Sequence, residues 1–127
     1  MKRQHRLFYL TVAVSLLYGC GGEPEKTLSF SRDVKPILAE HCISCHNSEG
    51  EGFKKSGLNL ESYSTLMKGT KFGPVIVPGE PLSSSLVLLI DGKADPAITM
   101  PHGSLQLIPK NQRETIKQWI AQGAKDN

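Results

Sequence analysis

The sequence lacks most of the features that would assign it to a common functional class. Its 127 residues contain three cysteines, 6% aromatic residues and no visible internal repeat. The net charge of +3 does not point to a polyanionic partner, because three of the fifteen basic residues lie in the first nineteen positions, which contain no acid. The other twelve are matched by twelve acidic residues, so nothing argues for a basic face that binds nucleic acid. Paired catalytic carboxylates, a nucleophile with its base and a phosphate-binding loop are also missing.

The N-terminal segment has the pattern of an export signal. A short cationic stretch precedes an apolar run of eleven residues, Leu7 to Leu17. This is the length of a signal-peptide core and well below the ~20 residues needed to span a bilayer. The run ends in "LLYGC", which resembles the bacterial lipobox and predicts that Cys20 is acylated and becomes the first residue of the mature chain.

These features divide the chain into three parts. We expect a lipoprotein signal peptide over residues 1–19, a flexible tether over 20–28 that includes the small and polar "GGEPEKT", and one domain over 29–127. The domain would then be anchored on the periplasmic side of a bacterial membrane. The outer membrane is favoured, because Gly21 is not the aspartate that typically retains such proteins at the inner membrane.

Hydrophobic periodicity predicts a small all-α domain with long loops. Ser31 is a candidate cap for the first helix, and Pro36 suggests that its regular part begins there after a looser turn. Trp119 is expected in the core near Phe30 or Val34, with an indole contact to a cofactor propionate as the alternative. No strand is expected in "PVIVP", which is short and has a proline at each end. Four helices are predicted, at about Ser31–Cys45, Leu60–Lys68, Leu82–Ile90 with an apolar stripe of Leu82, Leu86 and Leu89, and Lys110–Gln122.

The stretch "CISCH" contains the two cysteines that the mature chain would keep. A zinc site would need a fourth ligand beside Cys42, Cys45 and His46, such as His41 or His102, and no second ligand pair at finger spacing exists. A redox dithiol usually has a βαβ setting, and a structural disulfide would leave His46 without a role. We therefore predict covalent attachment of one haem c, with both thiols bound to the haem and His46 bound to its iron.

The opposite axial ligand should come from a downstream loop. Met100 lies in "ITMPHG", where Pro101 disfavours helical backbone and favours an extended strap. Met67 is close to His46 in sequence and is expected to pack in the core. His102 is the rival ligand, and would give a lower reduction potential than methionine.

Four segments taken together resemble a class I c-type cytochrome domain of the planctomycete type. They are "FSRDVKPILAEHCISCH", "SGLNLESYSTLMKG", "GPVIVPGEPLSSSLVLLI" and "MPHGSLQLIPKNQRETIKQWIAQGA", and they extend from about Phe30 to Ala124. The resemblance implies the cytochrome c fold, with about four short helices around one covalent haem and contact between the first and last helices.

The same resemblance assigns roles to individual residues. It implies thioether links at Cys42 and Cys45, with His46 as proximal and Met100 as distal iron ligand. Many small cytochromes orient the proximal histidine through a proline carbonyl soon after the motif, whereas Pro74 comes much later here. The implied function is electron transfer between redox proteins rather than enzymatic catalysis. The alternatives are a haem sensor or peroxidase-like enzyme with a labile sixth ligand, and a zinc-binding structural lipoprotein.

Overall fold

A computed structural model describes residues 25–104 and 106–127 of the chain. The signal peptide and Cys20 therefore lie outside the described residues. The described part is helical and contains an isolated bridge between Thr70 and Gly73 but no extended strand, which confirms the all-α prediction. It has five α-helices rather than about four: α1 (Lys35–His41), α2 (Glu51–Ser56), α3 (Tyr63–Lys68), α4 (Ser85–Ile90) and α5 (Lys110–Ala121).

The first predicted helix is shorter and less regular than expected. A π-helical turn, Phe30–Val34, leads into α1, and Pro36 lies in the first turn of α1, as the sequence indicated. The prediction of Ser31 as the cap was wrong, because Ser29 is the residue whose hydroxyl accepts a hydrogen bond from the Arg32 N–H. The helix also ends at His41 instead of Cys45, so the cysteine motif lies in turns.

The second α-helix lies in a segment predicted to be a loop. α2 contains no buried residue, so it lacks the apolar stripe from which a helix is predicted. α3 follows within the predicted Leu60–Lys68 segment but begins later, because Ser62 and Thr65 form a reciprocal capping box. Leu60 stays outside the helix and is buried.

The third predicted helix is broken near its start. A 3₁₀ turn, Pro81–Ser83, is separated from α4 by the extended backbone of Ser84. The buried Ser84 hydroxyl accepts from the Val77 N–H at 2.9 Å and donates to the Glu80 carbonyl at 2.9 Å. This break leaves Leu82 84% exposed, so its predicted place in the apolar stripe was wrong. Leu86 is buried and Leu89 is half-buried, as the stripe requires.

The core joins the two ends of the domain. α5 contacts the π-helical turn, and its Trp119 is 1% exposed. The Trp119 ring lies 5.7 Å from Phe30 and 6.4 Å from Tyr63, measured between centroids. Its indole N–H donates to the Lys125 carbonyl at 3.0 Å. The packing interpretation of Trp119 is thus confirmed, and its single donor is already used.

The segment before the π-helical turn is fastened to the last helix. The Gln122 side chain accepts from the Leu28 N–H at 2.8 Å and donates to the Lys26 carbonyl at 3.0 Å. Leu28 is buried in the core, so ordered packing reaches into the expected tether. Within residues 25–104 and 106–127, no helix has the length and apolar character required to cross a bilayer.

Candidate functional site

A cavity of about 640 Å³ opens between the cysteine motif and the segment around Met100. This volume lies within the roughly 300–1,000 Å³ range of cofactor and ligand pockets. Its walls are mainly apolar and come from the loops after α2 and α3, from α4 and from the loop after α4. The aliphatic side chains that line it are Leu58, Leu60, Val75, Leu86, Leu89, Ile90, Ala97 and Ile98.

The two cysteines and the histidine of the motif all line this cavity. Turns after α1 hold them there, with the N–H groups of Cys45 and His46 donating to the Cys42 carbonyl at 3.1 and 3.0 Å. Cys45 is exposed and Cys42 is partly buried. Burial, reinforced by the neighbouring Cys45, raises the pKa of the Cys42 thiol to about 11, so this thiol is protonated at neutral pH.

His46 is held in one orientation by a backbone carbonyl. The imidazole is buried, and its Nδ1 lies 3.2 Å from the Leu58 carbonyl oxygen. Because a carbonyl only accepts hydrogen bonds, Nδ1 carries the proton and Nε2 keeps its lone pair for a metal. The Leu58 carbonyl thus orients His46, a task that a proline carbonyl performs in many small cytochromes and that the sequence left open for Pro74. Nothing in the sequence marks Leu58 for this role, since every residue has a carbonyl.

Two of the three candidates for the second axial ligand line the same cavity. Met100 and His102 are both among its lining residues, and Met67 is not. Met67 instead packs against the hydrophobic core, as expected from the sequence. Met100 is half-buried, and its N–H donates to the Leu89 carbonyl at 3.3 Å. This bond joins the strap, residues 98–103, to α4. His102 is exposed.

The donor set suits a haem better than a bare metal ion. In residues 25–104 and 106–127, no three His, Cys, Asp or Glu side chains form a group that could hold a metal ion. A haem needs only axial donors and an apolar envelope, and the cavity offers a free imidazole nitrogen, a thioether and aliphatic walls. A covalent haem is attached through thiols, and the two thiols at this cavity could form such thioether links. The residues present therefore fit a covalently attached haem.

The helical fold and this cavity suit a haem-binding domain. Residues 42–102 match the family model described as planctomycete cytochrome C. The match extends from the first motif cysteine to His102, which is less than the Phe30–Ala124 range of the resemblance in the sequence. No curated protein and no solved structure matches the chain. The chain contains a cytochrome c-type domain, which implies covalently bound haem c and haem-based electron transfer, and fits an electron carrier rather than an enzyme.

Proposed function

We propose that this protein is a membrane-tethered electron carrier whose single haem c is bound through Cys42 and Cys45. His46 and Met100 are the axial iron ligands, and Cys20 is the lipid anchor. The observation that carries the haem site is that both cysteines, His46 and Met100 line one largely apolar cavity. Donor and acceptor would be other redox proteins, since a cytochrome c-type domain fits an electron carrier.

The residues around the proposed haem site shift its reduction potential in opposite directions. When bound, the haem supplies an iron that accepts and releases one electron. The hydrogen bond from His46 Nδ1 to the Leu58 carbonyl makes Nε2 a stronger donor, which favours the ferric state. The soft Met100 thioether favours the ferrous state. Leu86 and Leu89 line the cavity and exclude water, which also disfavours the extra charge of ferric haem. We expect a higher potential than with two histidine ligands.

The ligand assignment is tested with Met100→Ala. The variant should lose the weak near-red sulfur-to-iron absorption band, have a lower reduction potential and bind carbon monoxide in the ferrous state. His102→Ala and Met67→Leu are matched controls from the same strap and from the core, and both should keep the band. Haem should remain with the polypeptide on a denaturing gel in all of them, because the thioether links are covalent.

Two results would contradict this assignment. Survival of the band in Met100→Ala together with its loss in Met67→Leu would transfer the ligand role to Met67. A wild-type protein without the band that becomes high-spin in His102→Ala would have histidine as its sixth ligand. Carbon monoxide binding to the wild-type protein at once and completely would favour the sensor or peroxidase-like alternative.

The membrane location in this proposal is supported by the sequence alone. Cys20 follows an eleven-residue apolar run in "LLYGC", and the residues after it are small and polar. Lipoprotein processing adds several acyl chains, and two or more chains give stable anchoring at ~0.8 kcal/mol per buried CH₂. With Gly21 after the cysteine, the outer membrane of a two-membrane cell is the proposed site.

A further inference from the structure

We propose that Gly52 is a positioning residue for the iron ligand, because its missing side chain leaves the space that the His46 imidazole occupies. The inference rests on the proposed function in one respect, namely that His46 Nε2 binds the iron. It adds a residue from α2, which the sequence did not predict as a helix and to which neither the motif nor the family match assigns a role.

The geometry at position 52 is specific to the iron-binding edge of the ring. A Cβ atom built on Gly52 would lie 2.9 Å from His46 Nε2 and 2.8 Å from Cε1. It would also lie 2.8 Å from the Cys45 carbonyl oxygen. Cβ contacts this short essentially never occur, so a side chain here would displace the imidazole or the helix. Gly52 lines the same cavity as His46, so a side chain at position 52 would crowd the ring atom that is proposed to bind the iron.

Neither helix formation nor backbone conformation explains a glycine at this position. Gly52 lies inside α2 and does not have the positive φ found at Gly57. Glycine is a poorer helix former than alanine, so α2 taken by itself would be stabilised by Gly52→Ala. The feature of glycine that the site uses is therefore the absence of Cβ.

The imidazole cannot easily move away from a side chain at position 52. The Phe53 N–H donates to the Cys45 carbonyl at 3.2 Å, which holds α2 against the motif. The Leu60 N–H donates to the His46 carbonyl at 2.8 Å, and the Leu58 carbonyl holds Nδ1 at 3.2 Å. The chain from α2 to Leu60 is thus bonded to the backbone of the motif at two points, and displacing the ring would break its bond to the Leu58 carbonyl.

The test compares Gly52→Ala with Lys54→Ala in the holoprotein. Gly52→Ala should produce a fraction of high-spin ferric haem at neutral pH and carbon monoxide binding to ferrous haem, because the iron–imidazole bond is strained. Lys54→Ala places the same side chain in the same helix at an exposed position that does not line the cavity. It should keep the wild-type spectrum. A purely structural role for Gly52 would lower the unfolding midpoint without changing the spin state.

Two further measurements separate the inference from the proposed function. If His46→Ala keeps the low-spin wild-type spectrum, His46 is not the ligand and the proposed function fails. If His46→Ala loses that spectrum while Gly52→Ala keeps it, only the role of Gly52 is overturned. The second measurement uses the wild-type ferrous holoprotein and does not depend on a variant that folds. Nuclear Overhauser contacts between the Gly52 Hα protons and the His46 ring are expected, and their absence overturns the inference.

Discussion

Asp91 is a nearly buried carboxylate surrounded by cations from α5 and from its own loop. Its side chain is 4% exposed and lies 2.7 Å from both Arg113 Nη1 and Lys117 Nζ, with Lys93 Nζ at 3.8 Å. Burial alone would raise the pKa of Asp91, but the hydrogen bonds from Lys117 and Arg113 outweigh it and hold the pKa below its usual range. The carboxylate fastens the end of α4 to α5, and α4 forms one wall of the haem cavity.

Replacing Asp91 by Asn should lower the free energy of unfolding by about 1.5–3 kcal/mol at pH 7, because two cations lose a charged acceptor. The folded-state pKa lies below the unfolded value of about 3.9, so the stabilisation is present above about pH 4 and is lost as the pH falls through the folded pKa. The difference between wild type and variant should therefore narrow toward pH 3. Urea unfolding of both holoproteins at pH 7 and pH 3 measures this.

Glu114→Gln is the matched control for Asp91→Asn. Glu114 also pairs with Lys117, at 3.0 Å, but its side chain is 54% exposed. The solvent screens such a pair, so the loss should be at most about 0.5 kcal/mol. A gap between wild type and Asp91→Asn that stays constant down to pH 3 would contradict the ionic explanation.

At the scale of one element, α3 depends on its cap. The Ser62 hydroxyl accepts from the Thr65 N–H at 3.2 Å, and the Thr65 hydroxyl accepts from the Ser62 N–H at 3.3 Å. The helix is six residues long, which is too short to be stable by itself in water. Its buried Leu66 and its Tyr63, whose ring lies 5.4 Å from that of Phe30, join it to the core.

Ser62→Ala should lower the free energy of unfolding by about 1 kcal/mol, because it removes the acceptor for the Thr65 N–H. Ser64→Ala is the comparison within the same helix. It keeps both bonds of the capping box, removes only the 3.1 Å contact between the exposed Ser64 hydroxyl and the Ser62 hydroxyl, and introduces a better helix former, so it should be neutral within about 0.5 kcal/mol. The measurement is the thermal unfolding midpoint of the Ser62→Ala and Ser64→Ala holoproteins. Equal midpoints would show that the cap contributes no measurable stability.

The helices also show which parts of the fold can be predicted from the sequence. The 3.6-residue pattern predicted α5 to within a residue at its end, because Ile116, Trp119 and Ile120 are buried by packing against the π-helical turn and its neighbours. It could not predict α2, which buries no side chain and forms where its backbone meets the cysteine motif. Leu82 misled the prediction of the third helix for a related reason, since hydrogen bonds of Ser84 break the helix there.

The same distinction applies to the candidate site. Cys42, Cys45 and His46 were visible because side-chain identity and spacing carry their chemistry. The Leu58 carbonyl was not visible, because a main-chain acceptor is selected by the path of the chain. Gly52 was likewise hidden, since its contribution is an empty volume that exists only once α2 has packed on His46.

At the scale of the whole molecule, the protein needs its cofactor to complete its interior. The cavity of about 640 Å³ is large for a domain of this size, and its aliphatic walls would otherwise face water. A covalent haem held by the proposed residues would fill this space and stabilise the folded state, because binding to the native form alone shifts the folding equilibrium.

The proposed lipid anchor is also tested at the scale of the whole molecule. Cys20→Ser should remove the acyl mass from the protein and release it from membranes, because no acyl chain is then attached. The haem spectrum should stay unchanged, since all four proposed haem residues lie in the domain. Mass spectrometry of the mature N-terminus and membrane fractionation check this. A wild-type protein that is soluble, or that begins at another residue, would refute the anchoring proposal.

The hydrogen bonds of Gln122 to the backbone of Lys26 and Leu28 limit how far the domain can lie from its proposed lipid anchor. If Cys20 carries the lipid, only five residues lie between it and the first position bound by Gln122, Lys26, which is six residue-to-residue steps. At about 3.5 Å per extended residue, the segment from Cys20 to Lys26 is at most about 20 Å long. This is less than the diameter of a small domain, about 30 Å. If Cys20 carries the lipid as proposed, the domain therefore stays close to the membrane that holds it. It would move laterally over one surface and exchange electrons with partners whose redox centres lie close to that same surface.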